Sequence, residues 1–339
     1  FGAGPGAYAD YFSTFSARPV EPLLWGLGFL VLCIVVVVRG VSQGIEKVSK
    51  VLMPLLFLLL AGLVVYSVTR PGAGEGLRFL FGIDPARLSG DTLVGALGQA
   101  FFSLSVGMGI MVTYGSYVPK SENLAKSAGW ICALDTLVAV MAALAIVPVV
   151  MITQGEEGLG MGGGFAFISL PAMFAELPGG RFFGMAFFAL LFLAALTSAI
   201  SILESLVAFL TEEFHLSRAR AAIGLSVPMA LLSAGYSLSQ SAGRGINLPW
   251  FDFKNGLQML PMNAVMEKFT DNLMIPLGAL CFCLFVGWVW GTKAAGQEIA
   301  GEHGLRRMQK PWAFAVRFLA PLVIVVILYF TLGMGEGLS

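Results

Sequence analysis

Ser103, Ser105, Gly107 and Gly109 fall near the middle of the apolar stretch 98–118, GQAFFSLSVGMGIMVTYGSYV. Small hydroxyl residues and glycines weaken a helix at a depth where no water can replace a lost backbone hydrogen bond. A bilayer tolerates such a break only where the freed groups are buried in protein or line a cavity. Glycines two residues apart do not share a helix face, so local unwinding explains them better than a glycine packing stripe. Freed N–H and C=O groups at one place suit a carboxylate and a cation bound side by side.

Three further groups of residues have chemical potential. Asp135 lies inside the apolar run ICALDTLVAVMAALAIVP, where a charge costs about 3 kcal/mol to insert and so normally has a partner or a function. It reads either as a hydrogen-bonded structural carboxyl or as a fixed negative charge beside a cation site, and the second is preferred. Ala194, Thr197, Ser198, Ser201 and Ser205 share one face of a helix by their i, i+3/i+4, i+7 spacing. Such a stripe lets membrane helices pack closely, the preferred reading from spacing alone; its oxygens are also hard ligands suited to a small cation. Glu267 and Asp271 precede an apolar span and read either as interfacial charge or as an outer gate. Glu204 sits nearer the cytoplasmic end of its span and reads as a helix-packing partner.

The elements that position these residues are membrane helices. Hydrophobic residues make up 57% of the 339 positions and charged residues 12%, about half the charged share of a soluble domain, and the mean hydropathy is +0.85. Spans need about 20 apolar residues, and the pattern predicts eight: 23–39, 51–69, 92–118, 124–153, 182–211, 219–237, 271–291 and 312–334. Alternating them puts twelve of the 20 Lys and Arg residues on one side, which the positive-inside rule makes cytoplasmic. Both ends then lie outside, an arrangement expected if an odd number of spans precedes the first. The alternative is an eight-span protein with exterior termini. Residues 1–22 read as an extracellular loop, and residues 23–339 as the membrane domain.

A net charge of zero argues against a nucleic-acid partner. Cys33, Cys132, Cys281 and Cys283 lie in apolar runs and read as small core residues rather than a disulfide frame or zinc site. His215 and His303 stand in charged loops, away from intramembrane chemistry. An intramembrane enzyme would need a His pair, a nucleophile with its base, or facing paired carboxylates, and the sequence has none of these. A channel would want rings of like charge or repeated filter loops, which the sequence does not carry.

The run 98–118 resembles the sixth transmembrane helix of the neurotransmitter:sodium symporter family, most closely its bacterial amino-acid transporters. The resemblance continues in order. RGVSQGIEKVSKVLMPLLF is similar to the fourth-to-fifth helix connection, LDTLVAVMAALAIVP to the seventh helix, and FISLPAMFAELP to the extracellular hairpin, at about 162–180. FLAALTSAISILE resembles the eighth helix and IPLGALCFCLFVGWVWG the tenth. It implies an all-α integral membrane fold, the eight spans being helices 4–11 of the inverted-repeat, leucine-transporter-like architecture. Helices 1–3, which supply half of the binding site, would lie outside this chain.

The same resemblance implies roles. Phe102 is similar to the aromatic lid over the substrate, and Gln99 to part of the outer gate. Ser103 matches a sodium-ligating hydroxyl. Ser105, Val106, Gly107 and Met108 would line the unwound pocket, with Ser198 and Ile202 opposite. Ala194, Thr197 and Ser198 match a second sodium site, which reverses the packing preference for that stripe. Asp135 falls where chloride-independent members carry a carboxylate, implying no chloride requirement, with proton antiport following if Asp135 titrates. The gate departs from the family pattern: Glu267 aligns where many relatives have Asp, and Asp271 follows one turn later.

The resulting expectation is a multi-pass protein of the bacterial plasma membrane, not an enzyme. It would couple Na⁺, with two binding sites expected, to symport of a neutral, hydrophobic or aromatic amino acid. Its rival is a non-transporting remnant or assembly module of the same fold.

Overall fold

The computed structural model describes residues 5–82, 88–153, 155, 165–176, 178–240, 245–253, 256–300 and 309–332. Among them, seven helices are long and apolar enough to cross a bilayer: Glu21–Val38, Gly44–Val68, Leu124–Thr153, Gly180–Glu213, Arg218–Ser239, Met262–Ile299 and Gln309–Thr331. The remaining expected span is broken, as its glycines required. Its two pieces are Gly90–Ser103 and Ile110–Ser116.

Helices are numbered α1 (Pro5–Ala17), α2 (Glu21–Val38), α3 (Lys47–Val68), α4 (Ala73–Phe81), α5 (Gly90–Ser103), α6 (Ile110–Ser116), α7 (Leu124–Thr153), α8 (Leu170–Glu176), α9 (Gly180–Glu213) and α10 (Arg218–Ser239). The chain divides into two compact units, one of residues 1–83 and 136–244, the other of residues 84–135 and 245–339.

In the first unit α9 is the central helix, with α2, α3, α8 and α10 packed against it. Leu63, Tyr66, Val149, Val150, Leu170, Phe174 and Phe187 form its buried cluster. Tyr66 stacks on Phe183 at 3.6 Å between ring centres and donates its hydroxyl to the Pro178 carbonyl at 3.2 Å. Close backbone approach fixes Gly180, where a Cβ would stand 1.6 Å from the Phe174 oxygen. That contact seats α8, the helix of the expected hairpin, on the start of α9. Hairpin residues 162–164 and 177 lie outside the described residues.

In the second unit the helix Gln309–Thr331 packs along α5 and along the helix Met262–Ile299. Arg317 Nε donates to the Gly287 carbonyl at 2.8 Å. Asn272 and Thr331 bond reciprocally through side chain and carbonyl, each at 3.3 Å.

Three expectations change and one gains detail. The opening segment, expected as an extracellular loop, contains the helix Pro5–Ala17; a proline suits a first helical turn, where its missing N–H costs nothing. The interval between the expected spans 219–237 and 271–291 is not all loop, because Asn247–Asp252 forms strand β1, paired antiparallel with β2 (Gly256–Pro261), Trp250 opposite Gln258. The following span starts at Met262 rather than 271, so Glu267 and Asp271 are both inside its helix. Only Cys33 among the cysteines is a buried core residue; Cys132 and Cys281 are exposed and Cys283 is half-buried. The physical reason for the last is that lipid is as apolar as a core. No more than 22% of any span's most apolar window is buried, so an apolar run does not say which side faces protein.

Candidate functional site

The break in the sixth helix of the family pattern is built by three left-handed residues in alternate positions. Ser105 has φ 53°, Gly107 φ 96° and Gly109 φ 77°. The helix ladder ends as the Leu104 N–H bonds to the Ala100 oxygen and the Val106 N–H to the Phe101 oxygen. It resumes where the Thr113 N–H reaches the Gly109 oxygen at 3.0 Å. Among the described residues, the N–H groups of Gly107, Met108 and Gly109 have no partner. Ser105 is the informative residue, since a side chain at positive φ is costly and is retained mostly at functional sites.

Gly107 is required by contact as well as by conformation. A Cβ there would lie 2.2 Å from the Ile275 oxygen and 2.9 Å from the Ala279 nitrogen. Gly278 is its counterpart, its own Cβ position falling 2.3 Å from the Gly107 oxygen. The unwound segment is thus held directly on the backbone of the helix 262–299. The resemblance did not single out Gly278, which stands with Ala279 as a pair of small residues in its span.

At the end of α5, Ser103 donates to Asp135, with 2.6 Å to Oδ1 and 2.7 Å to Oδ2. A hydroxyl seated between two carboxylate oxygens leaves its own lone pairs free. Serine and aspartate oxygens together form a hard, negatively charged donor set suited to an alkali or alkaline-earth cation.

Phe102 and Asp271 share a cavity of about 180 Å³, whose walls include Gly98, Phe101, Pro276 and Thr331. Phe102 is 51% exposed. Glu267 and Gln99 are exposed and do not line this cavity. Of the two acids proposed for the gate, Asp271 is the one beside the aromatic lid position.

The other expected residues belong to the first unit, on α9. The Thr197 hydroxyl donates to the Ala194 carbonyl at 3.0 Å and lies 3.2 Å from the Leu193 carbonyl. Ser201 bonds back to the Thr197 oxygen at 3.0 Å, and Ser205 to the Ile202 oxygen at 2.8 Å. Back-bonding of this kind satisfies each hydroxyl as donor and leaves its oxygen able to accept or ligate. Thr197 is buried, Ala194 half-buried, and Ser198 and Ile202 are exposed. Thr197 Oγ1 and the Ala194 oxygen therefore stand together, as two ligands of one ion would.

Glu204 is fully buried and ion-paired with Arg218, which also donates to the Val37 carbonyl at 3.0 Å. The packing role expected for Glu204 is thereby given a partner. Sequence reasoning missed Arg218, because it sits at the start of the next helix among other basic residues.

The family model described as the sodium:neurotransmitter symporter family matches residues 21–336. The chain belongs to this family. As a family member it is a multi-pass membrane transporter and not an enzyme. It is 32% identical to the uncharacterized sodium-dependent transporter YhdH of Bacillus subtilis, over 98% of this chain and 72% of that protein. An uncharacterized sodium-dependent transporter of Haemophilus influenzae is also 32% identical, over 91% of this chain and 65% of that protein. The crystal structure of MhsT in complex with L-phenylalanine superposes with a TM-score of 0.82 at 37% identity, covering 96% of this chain and 71% of that one. The fold is that of the inverted-repeat transporters.

Proposed function

We propose that the protein is a Na⁺-coupled symporter of a neutral amino acid with a hydrophobic or aromatic side chain. The observation that carries this reading is the unwound 104–109 segment with Ser103 hydrogen-bonded to Asp135 at its edge. Unpartnered N–H groups suit the substrate carboxylate, and the adjacent Ser103 and Asp135 oxygens suit a sodium ion that touches it. The ion cancels charge that the carboxylate and Asp135 would otherwise oppose. Binding of one therefore favours the other, and this reciprocal coupling is what lets an ion gradient drive a solute.

Ala194, Thr197 and Ser198 are proposed as the α9 contribution to a second sodium site. Phe102, Val106 and Met108 are assigned to an apolar lining, which supports a substrate such as Leu, Met, Phe or Trp; the MhsT complex with L-phenylalanine is consistent with that class. Ser105 and Gly107 are assigned to the same unwound lip. Asp135 supplies the negative charge that would otherwise call for chloride, so no chloride requirement is proposed. Asp271, with Gln99 and Glu267, is assigned to the outer gate.

Equilibrium binding of radiolabelled L-phenylalanine and L-leucine to the purified full-length protein tests this reading. Binding is expected in Na⁺ and not in K⁺. Equal binding in the two salts would remove the ion from the site.

A further inference from the structure

The connection from α2 to α3 carries a second cluster that the transport reading does not use. Gly40, at φ 87°, ends α2, and residues Val41–Glu46 make a wide π-helical turn into α3. Gly44 closes that turn against α2, since a Cβ on it would stand 2.1 Å from the Val36 oxygen. Beneath the reversal is a cavity of about 690 Å³ lined by Arg39, Lys47, Val48, Val51 and Leu52.

Its lining is divided by chemistry. Two cations form one part and three aliphatic side chains the other. The neighbouring Lys50 is neutralised by Glu46 at 2.6 Å. Arg39 and Lys47 are exposed and, among the described residues, make no ion pair or side-chain hydrogen bond. Two like charges on one cavity call for an anion. The aliphatic part continues along the helix: Val51 is 65% exposed, and Leu55 and Leu58, on the same face by their i+4 and i+7 spacing, extend the exposed apolar surface along α3.

We propose that this cavity binds an anionic phospholipid, its phosphate held between Arg39 and Lys47 and an acyl chain lying on Val48, Val51 and Leu52. A guanidinium grips phosphate oxygens in a planar fork while the ammonium acts as a point charge beside it. The distribution of Lys and Arg puts this turn on the cytoplasmic side, where basic pockets between spans meet anionic headgroups. A free phosphate would satisfy the cations and leave the aliphatic wall without an occupant. The continuous apolar surface is what commits the site to a lipid.

Native mass spectrometry of the purified full-length protein, released from neutral detergent, tests the assignment with phosphatidylglycerol, phosphatidylcholine and inorganic phosphate as probes. Phosphatidylglycerol is expected to be retained over phosphatidylcholine, with Arg39→Gln and Lys47→Gln each weakening retention about fivefold. Lys50→Gln is expected to change nothing, and Val51→Asn to weaken phosphatidylglycerol alone. All four positions are exposed, and unchanged thermal unfolding in neutral detergent will show that the variants fold. Equal retention of the two lipids, or retention that survives the Arg39→Gln/Lys47→Gln double variant, would overturn the site. Displacement of phosphatidylglycerol by inorganic phosphate would overturn the lipid assignment and leave an anion site.

Discussion

Ser103 at the end of α5 donates its hydroxyl to Asp135 of α7, with both carboxylate oxygens within 2.7 Å. The two residues are 32 positions apart in sequence, and they meet beside the transmembrane segment whose backbone comes undone between α5 and α6. The hydrogen bond gives an intramembrane carboxylate a partner. It also keeps both oxygen types at one point, where a cation would be needed.

Asp135→Asn keeps the shape and removes the charge. Losing a charge-assisted interaction of about 1.5–3 kcal/mol is expected to raise the Na⁺ concentration for half-maximal uptake at least tenfold. Added chloride is expected to restore part of the loss. A Na⁺ titration of uptake with and without chloride measures this, and an unchanged titration would remove Asp135 from the sodium site.

Thr197→Val deletes a hydroxyl at nearly constant volume. If Thr197 ligates sodium, uptake loses Na⁺ affinity while thermal unfolding in detergent moves little. Ser201→Ala, on the same face and bonded back to the Thr197 oxygen, is expected to leave Na⁺ dependence as it is. A stripe used only for packing would show the reverse, with stability altered in both variants and Na⁺ affinity in neither.

Gly107→Ala and Gly109→Ala separate conformation from contact. Both positions have positive φ, but a Cβ at Gly107 meets the Ile275 oxygen at 2.2 Å, and one at Gly109 meets nothing within 4 Å. Gly109→Ala is expected to cost about 1–2 kcal/mol of strain. Gly107→Ala adds a displacement of the helix 262–299 and is expected to abolish uptake. Comparable loss in both, read from thermal unfolding and uptake together, would show that the contact is unimportant.

Much of this was legible in the sequence because the bilayer restricts what a chain can do. Long apolar runs gave seven spans, and paired glycines located the break in the eighth. The stripe on α9 was visible from its period. What stayed hidden was which apolar face meets protein. Cys132 and Cys281 look like core from composition but are exposed, since lipid and protein interiors select the same residues. The β1–β2 hairpin also escaped, although an Asn-Gly turn signal at 255–256 was present in the sequence; its strands NLPWFD and GLQMLP do not alternate apolar and polar residues. Its strands lie between two spans and are short enough to pass for a loop. Arg218 was hidden for a different reason: the order of residues in a basic turn does not say which one reaches inward to a buried glutamate.

The Glu204–Arg218 pair offers a stability measurement independent of transport. Removing one partner from a buried pair costs about 3–5 kcal/mol because a charge is left without compensation. Glu204→Leu is expected to lower the unfolding midpoint clearly, and Glu204→Leu/Arg218→Met to recover much of the loss. A double variant as unstable as the sum of both singles would mean that the two side chains act separately.

The central claim is coupling of solute movement to sodium. Its most direct measurement is uptake of radiolabelled neutral amino acids by proteoliposomes containing the full-length protein. With Na⁺ outside and K⁺ inside, a hydrophobic amino acid such as L-leucine or L-phenylalanine is expected to accumulate, and the accumulation is expected to collapse when the Na⁺ gradient is dissipated. Uptake of the same size with K⁺ on both sides would contradict it.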